Sequence, residues 1–340
     1  MPLCRLSGSQ ASASLPCYSA APEAAVDRRL PTNDPFVTRI HDVYGRLPPN
    51  ARGALWMIAS AITFTVMTML IKFLGDDYPA TLQTFYRQLF GLGVMVPIIA
   101  RNPRAAFHTT RAGLLLFRAA AGTVGMILGF YAYQKMPLAD ANALSFTRTL
   151  WLVPLAAFVL KEQVGPRRIA ATVVGFLGAL LMLQPAAQGE MGWPAVAALV
   201  AALLIALTVT GMKVMTRDHT TTTLMSWSAV LGFILAIPPA LFVWRWPTFV
   251  DLLLLGAMGV LGTVTQATYI KGMAEGDAAV MAPVDYTRLI FAIIFGYLLF
   301  GDIPNTLTMA GAAIIIGATL YITLRESRLG MSKAAAATSD

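Results

Sequence analysis

Six stretches of at least 18 residues contain no Asp, Glu, Lys or Arg: 53–71, 169–189, 191–212, 220–244, 252–270 and 303–324. Each is long enough to cross a hydrocarbon core about 30 Å thick, which takes about 20 helical residues. The 340-residue chain is 57% hydrophobic and only 12% charged, against about 25% charged in a soluble domain. Four more apolar segments emerge once one or two charges are admitted to each. They are 81–100 with Arg87, 112–134 with Arg118, 137–160 with Asp140 and Arg148, and 277–300 with Asp285 and Arg288. The expected fold is all-α: a polytopic membrane protein with ten transmembrane helices.

The remainder of the chain is polar and short. Residues 1–50 are rich in Ala, Ser and Pro, lack the apolar core of a signal peptide, and read as a disordered cytoplasmic tail. Within them Phe36, Ile40, Val43 and Leu47 recur at helical spacing beside Arg39 and Arg46, which suits either a short helix on lipid headgroups or plain unstructured chain. Both cysteines, Cys4 and Cys17, fall in this tail, away from any disulfide framework or metal-ligand pattern. The pI of about 9.7 reflects cations scattered along the chain, not a patch for nucleic acid.

Those cations set the topology. With the N-terminus inside, 18 of the 25 Lys and Arg residues fall in inside regions and two, Lys135 and Arg245, in outside loops. Positive loops are retained in the cytoplasm. Both termini are therefore expected inside, in a bacterial inner membrane, and Trp193, Trp244 and Trp246 fall at outer boundaries where indoles prefer the headgroup layer.

The chain also repeats itself. Tyr133-Gln134-Lys135 recurs as Tyr269-Ile270-Lys271, Gly122 and Gly125 as Gly259 and Gly262, Asp140 as Asp277, and Thr147-Arg148 as Thr287-Arg288. Fourteen residues after each arginine comes an acid, Glu162 or Asp302. The earlier matches are offset by 136 or 137 and the later ones by 140, which predicts a three-residue insertion in the ninth span. Five spans per copy, an odd number, make the second copy enter the membrane from the opposite side. The expected organisation is a tail over 1–50, a first repeat over 53–185, a second over 191–325 and a cytoplasmic C-terminal tail over 326–340. Inverted repeats have two near-equivalent conformations, one open to each side, with a binding site at mid-membrane between the halves. That geometry serves alternating-access transport.

From about Leu55 to Glu326 the chain resembles the EamA-like branch of the drug/metabolite transporter superfamily. The resemblance is carried by Phe85-Tyr86-Arg87, by Lys135-Met136-Pro137-Leu138-Ala139-Asp140-Ala141, by Leu160-Lys161-Glu162 followed by Arg167-Arg168, by Ala282-Pro283-Val284-Asp285-Tyr286-Thr287-Arg288, and by Leu299-Phe300-Gly301-Asp302. The branch's Leu-Gly-Glu signature is altered at one position in the first copy and at two in the second. The Asp-Tyr-Thr-Arg run is similar to branch members that include S-adenosylmethionine and riboflavin carriers. The resemblance implies ten helices and secondary transport of a small organic metabolite, by vitamin or cofactor uptake or by amino-acid or drug export.

Charged groups inside spans are the candidates for a substrate site, because a cation at the bilayer centre costs roughly 2.5–3.5 kcal/mol unless it is paired or hydrated. At about 1.5 Å per residue, Arg148 lies ~16 Å along the fourth span and Arg288 a similar distance along the ninth from the other face. Asp285 shares a helix face with Arg288. Two readings stand: the arginines bind an anionic substrate group while Asp285 takes an amine or a coupling proton, or the three neutralise one another and fix packing. Arg87 and Arg118, nearer the faces, either guide an anion or snorkel to headgroups. Tyr286 and Trp151, with Tyr86, Tyr131 and Trp227, are candidates to line a cavity for a flat solute or to pack. Pro154 and Pro283 are expected to interrupt the two charged helices.

Other classes fit less well. His41, His108 and His219 lie in the tail or in loops without clustered Cys or acids, so no metal ligand set is expected. No phosphate-binding Gly-Lys-Ser/Thr loop is present for ATP hydrolysis. A receptor, channel or membrane-embedded enzyme is the competing class; no cofactor is expected, and glycine-lined faces leave a homodimer open.

Overall fold

The computed structural model describes Tyr44 and residues 47–340 apart from 102, 104–106, 110, 160, 162–163, 184–191, 216–220, 277, 304–305 and 338–340. The stretch around Phe36, Ile40 and Val43, read either as a headgroup helix or as unstructured chain, lies outside the described residues, as do Glu162 and Asp277. Twelve helices are described, and no strand. They are α1 (Pro49–Phe73), α2 (Ala80–Arg101), α3 (Ala112–Lys135), α4 (Leu138–Ser145), α5 (Thr147–Phe158), α6 (Pro166–Leu183), α7 (Trp193–Met215), α8 (Thr221–Leu241), α9 (Phe249–Glu275), α10 (Ala278–Asp285), α11 (Thr287–Phe300) and α12 (Thr306–Ala337).

Their ends follow local chemistry. Pro49 opens α1 where a missing N–H is harmless, Thr248 caps α9 by accepting from the Asp251 N–H at 3.2 Å, and Gly301 ends α11 in the left-handed region at φ 66°.

Seven helical stretches are long and apolar enough to cross a bilayer: Pro49–Phe73, Ala112–Lys135, Trp193–Met212, Thr223–Leu241, Phe249–Glu275, Pro283–Phe300 and Thr306–Arg325. The ten expected from sequence exceed this count for physical reasons. Helix α2 carries Gln83, Arg87 and Gln88, α6 opens on Arg167 and Arg168, and the 137–160 segment is cut into α4 and α5. The exposed surface is nonetheless apolar: Phe73, Phe117, Leu177 and Leu298 are each more than half exposed. A surface of that kind suits lipid, not water.

The interruptions do not fall at the prolines. Pro154 lies within α5 and Pro283 within α10, whereas the chain turns at Phe146 and Tyr286. There the hydroxyls of Ser145 and Thr147 donate to the carbonyls of Asn142 and Leu144, and Thr287 donates to that of Val284. These bonds compete with the helix ladder, and each turn closes on a bond that spans three residues, from Phe146 N to Ala143 O and from Tyr286 N to Pro283 O, both at 3.2 Å. The expected insertion is also relocated. Helices α4 and α10 have eight residues each, while α9 has 27 against 24 in α3, so the three extra residues belong to the helix before the ninth span.

Helices pack mainly across the two halves. α1 lies along α9 and α3 along α7, which are the same contact with the halves exchanged; α2 lies along α8 and α6 along α12. Glycines permit the closest approaches. A Cβ on Gly178 would lie 2.9 Å from the Gly311 carbonyl oxygen, and one on Gly53 would lie 2.9 Å from that of Gly272. Many buried hydroxyls return to their own helices, as Thr65 does to Ala61 and Thr84 to Ala80, whereas those of Thr123 and Ser226 are buried without a hydrogen-bond partner.

Candidate functional site

The two chain turns set the site. Each is followed by Thr-Arg, so both guanidinium groups leave their helices one residue past the N-terminus of α5 or α11. Packing of α4 against α11 brings the two interruptions together. Arg288 Nη2 donates to Asp285 Oδ2 at 2.6 Å, and Arg148 Nη2 approaches the same oxygen at 3.5 Å. The first is a strong charge-assisted bond; the second is longer than a good hydrogen bond. Two cations on one carboxylate leave a net positive charge. With five N–H donors per guanidinium, a single carboxylate oxygen cannot satisfy both.

The surroundings are aromatic. Arg288, 6% exposed, sits with its guanidinium carbon 4.6 Å from the Phe146 ring centroid and 5.1 Å from that of Phe64, a cation held against two ring faces. Its Nε is buried without a hydrogen-bond partner. Phe146 stacks tilted on Tyr286 at 4.5 Å, and Phe64 meets Tyr133 edge-on at 6.1 Å. The Tyr286 hydroxyl is bonded to Thr319 of α12. The Arg148 side chain is 32% exposed and is the more open of the two cations. Tyr133, Tyr269 and Tyr286 all lie within its electrostatic reach.

Arg87 and Arg118 point into the bundle, not toward its ends. Arg87 donates to Gln88 Oε1 at 3.2 Å and faces Met126 Sδ at 3.4 Å; a Cβ on Gly262 would lie 2.9 Å from its Nε, so glycine there makes room for it. Arg118 donates from Nε to the Thr208 carbonyl at 3.3 Å and from Nη1 to the Ser228 hydroxyl. Among the described residues neither has a carboxylate partner, so both add to the positive interior. Trp151 packs edge-on against Phe176 of α6 at 4.6 Å, with its indole N–H buried and unpartnered, and Trp227 lies against Phe107 at 5.7 Å. Neither ring joins the arginine cluster. Tyr86 is buried among Phe85 and Trp244. Among the described residues no group of three or more His, Cys, Asp or Glu is placed to hold a metal ion.

Phe64, Phe146 and Thr319 complete the cluster around Arg288 and Tyr286 and escaped the sequence reading. Phe146 was recoverable, since it precedes Thr147-Arg148 as Tyr286 precedes Thr287-Arg288. Phe64 and Thr319 lie on uninterrupted apolar helices and carry no such signal.

Comparison with known proteins agrees with this architecture. The profile of the EamA-like transporter family matches residues 51–184 and again 192–324. The S-adenosylmethionine uptake transporter of Rickettsia prowazekii is 29% identical over 83% of this chain and 95% of its own length. The riboflavin transporter of Rhizobium johnstonii is 31% identical over 81% of this chain and 92% of its own. The pseudopaline exporter CntI of Pseudomonas aeruginosa is 26% identical over 79% of this chain and 95% of its own. A solved crystal structure, 17% identical, superposes with a TM-score of 0.56 over 82% of this chain and 99% of that one, a likeness of fold. With two matched copies covering most of its length, this multi-pass membrane protein is a transporter, not an enzyme, and belongs to the EamA-like transporter family of the drug/metabolite transporter superfamily.

Proposed function

We propose that the protein is a secondary-active carrier of the bacterial inner membrane that moves a small organic metabolite by alternating access. Counting α4–α5 and α10–α11 as one interrupted span each, its helices form ten spans in two inverted five-helix repeats, over 53–185 and 191–325, with both termini cytoplasmic. Substrate binds where the interrupted spans meet. Arg148 and Arg288 receive its anionic group, Asp285 its amine, and Tyr286 with Phe146 and Phe64 flanks its flat portion. Arg87 and Arg118 extend the positive field along the approach, and Trp151 shapes the wall behind α5.

The observation that carries this reading is the shared carboxylate: two guanidinium groups converge on one Asp285 oxygen, at 2.6 and 3.5 Å, among aromatic rings. A site built to neutralise itself would match its charges. A zwitterionic metabolite with a carboxylate, an amine and a planar group, as in S-adenosylmethionine, satisfies all three elements. The ring cluster favours a second reading, a planar vitamin such as riboflavin, for which the arginines would serve as hydrogen-bond donors. The relatives' names include both uptake and export, so direction is a property of the individual protein within this family.

Radiolabelled solute flux in proteoliposomes holding only this protein tests the proposal. S-adenosylmethionine is expected to cross, and Arg148→Ala or Arg288→Ala should cut its flux about 100-fold or more, the loss of one desolvated charge pair. Unchanged flux in both variants would remove them from the site. Absence of flux over a panel of amino acids, nucleosides, S-adenosylmethionine and vitamins would overturn the carrier reading.

A further inference from the structure

A second charged cluster lies at the end of the bundle where α1 runs out, α4 begins and α11 connects to α12. Lys72, in the last turn of α1, donates from Nζ to Asp302 Oδ2 at 2.5 Å and to the Met136 carbonyl oxygen at 3.2 Å, and lies 4.9 Å from the Phe300 ring centroid. Asp302 Oδ2 also accepts from the Leu138 N–H at 3.2 Å. One ion pair therefore ties together α1, the α3–α4 link, the start of α4 and the α11–α12 link. Both side chains are only about one-sixth exposed, at 15% and 16%. Asp302 follows Gly301, whose left-handed backbone turns the chain back so that Asp302 N also bonds the Gly296 carbonyl.

The cluster holds one cation and two acids. Asp140, in the first turn of α4, lies in electrostatic reach of both Asp302 and Lys72, and its Oδ1 is buried without a hydrogen-bond partner. Beside it a cavity of about 160 Å³ runs between α4, α11 and α12, lined by Leu289, Ile293, Thr308, Met309 and Ala312. Among the described residues, Asp140 is the one ionisable group in that lining. Among the described residues, the elements packed on α4 carry these titratable or charged groups: α3 has Arg118, Tyr131, buried Tyr133 and exposed Lys135, α5 has Arg148, α7 has Lys213 at its far end, α11 has Arg288 and exposed Tyr297, and α12 has Tyr321 and Arg325.

We propose that Lys72, Asp302 and Asp140 form a proton-operated latch, and that Asp140 is the residue that takes the coupling proton. The proposal rests on the carrier reading and assigns its coupling to this cluster in place of Asp285. Asp285 is already engaged by two guanidinium groups, at 2.6 and 3.5 Å, whereas Asp140, two residues beyond the Leu138 N–H that holds Asp302, has a buried oxygen with no hydrogen-bond partner beside the Lys72–Asp302 pair. Closing the latch brings both acids together away from water, which disfavours two negative charges around one lysine. A proton taken by Asp140 from the adjoining compartment removes the repulsion, leaves Lys72 to Asp302 and shuts this end. Loss of that proton weakens the latch and lets the end open. By linkage, the shut form binds the proton more tightly, so acid shuts and base opens.

The test reads access, not flux. In a full-length protein carrying Cys4→Ser and Cys17→Ser, a reporter cysteine replaces Ala141, which is 2% exposed and lies one helical turn beyond Leu138. Its reaction with an impermeant maleimide is normalised to a second protein with the cysteine at Phe242, 89% exposed. Normalised labelling is expected to rise about tenfold between about pH 5 and about pH 8, across the range where a crowded carboxyl ionises. Asp140→Asn should label slowly at both, and Asp302→Asn rapidly at both; the exchange Lys72→Asp with Asp302→Lys should restore slow labelling. An Asp140→Asn protein that kept the parent's pH response would overturn the proposal. So would an Asp302→Asn protein as protected as the parent in acid, provided both elute as folded species. Because labelling needs no substrate, a failed latch and a failed carrier reading are told apart by the proteoliposome flux above.

Discussion

The interrupted pairs α4–α5 and α10–α11 have the same length before the turn, the same Thr-Arg after it and an aromatic residue at it, yet they are not equivalent electrostatically. Where α10 ends in Asp285, the corresponding residue of α4 is Ser145, whose hydroxyl is occupied with the Asn142 carbonyl. Two arginines therefore share one acid. Had both copies kept the acid, the centre would be neutral; had neither, it would hold two unmatched cations. The lesson is that the two copies share their turn geometry, and a difference at one position, Ser145 against Asp285, sets the charge.

The difference also extends to burial. Arg288, with its carboxylate partner in the same turn region, is pinned between Phe64 and Phe146, while Arg148 has a longer ion pair and a side chain 32% exposed. The second copy thus contributes the more buried, closely paired arginine and the first copy the more exposed one.

Equalising the copies should have the largest effect. Ser145→Asp places a second acid beside the arginines, and flux of an anionic or zwitterionic solute is expected to fall about 30-fold, roughly 2 kcal/mol, because the carboxylate competes for Arg148. Flux at the parent's level would mean that the asymmetry has no role in binding. A smaller effect separates the exchanged helix contacts. Gly272→Ala would put a Cβ 2.8 Å from Met57 Cγ and 3.0 Å from the Gly53 carbonyl, whereas at Gly122 the nearest atom is Thr208 Cγ2 at 3.4 Å. Thermal unfolding in detergent should show Gly272→Ala destabilised by about 1–3 kcal/mol and Gly122→Ala within about 0.5 kcal/mol of the parent; equal shifts would mean that the α1–α9 and α3–α7 contacts are equally tight. Smallest is the turn that precedes each copy's last helix. Lys161 and Gly301 both have left-handed backbone, at φ 54° and 66°. Gly301→Ala should cost about 1 kcal/mol and Lys161→Gly should gain a little less, since a Cβ in that region is disfavoured by roughly 1–2 kcal/mol. A destabilised Lys161→Gly would show that the lysine side chain holds the first turn by other contacts.

Much of the fold was legible because its signals are local. An apolar run reads as a span wherever it sits, and Arg148, Arg288 and Asp285 stood out because a charge among apolar residues is conspicuous without knowing its neighbours. The count of spans was less secure, since α2, α6 and the α4–α5 segment dilute their hydropathy with charged and amide side chains. The prolines misled for a related reason: they mark where a ladder bond is missing, but the turns at Phe146 and Tyr286 are set by hydroxyl-to-carbonyl bonds that leave a faint trace in sequence. Arg87 and Arg118 were open to two readings because a long side chain near a span's end can point either way, and only the neighbours Gly262 and Ser228 decide it.

By itself the sequence determined residence in a membrane, the apolar segments and the duplication, because each depends on residues close together along the chain. Tertiary structure alone decided that Arg148 and Arg288 meet over a single carboxylate and that Lys72 closes on Asp302. Those partners come from opposite halves, and the interaction of two charges is set by their distance and by the water removed between them, neither of which is written in the order of residues.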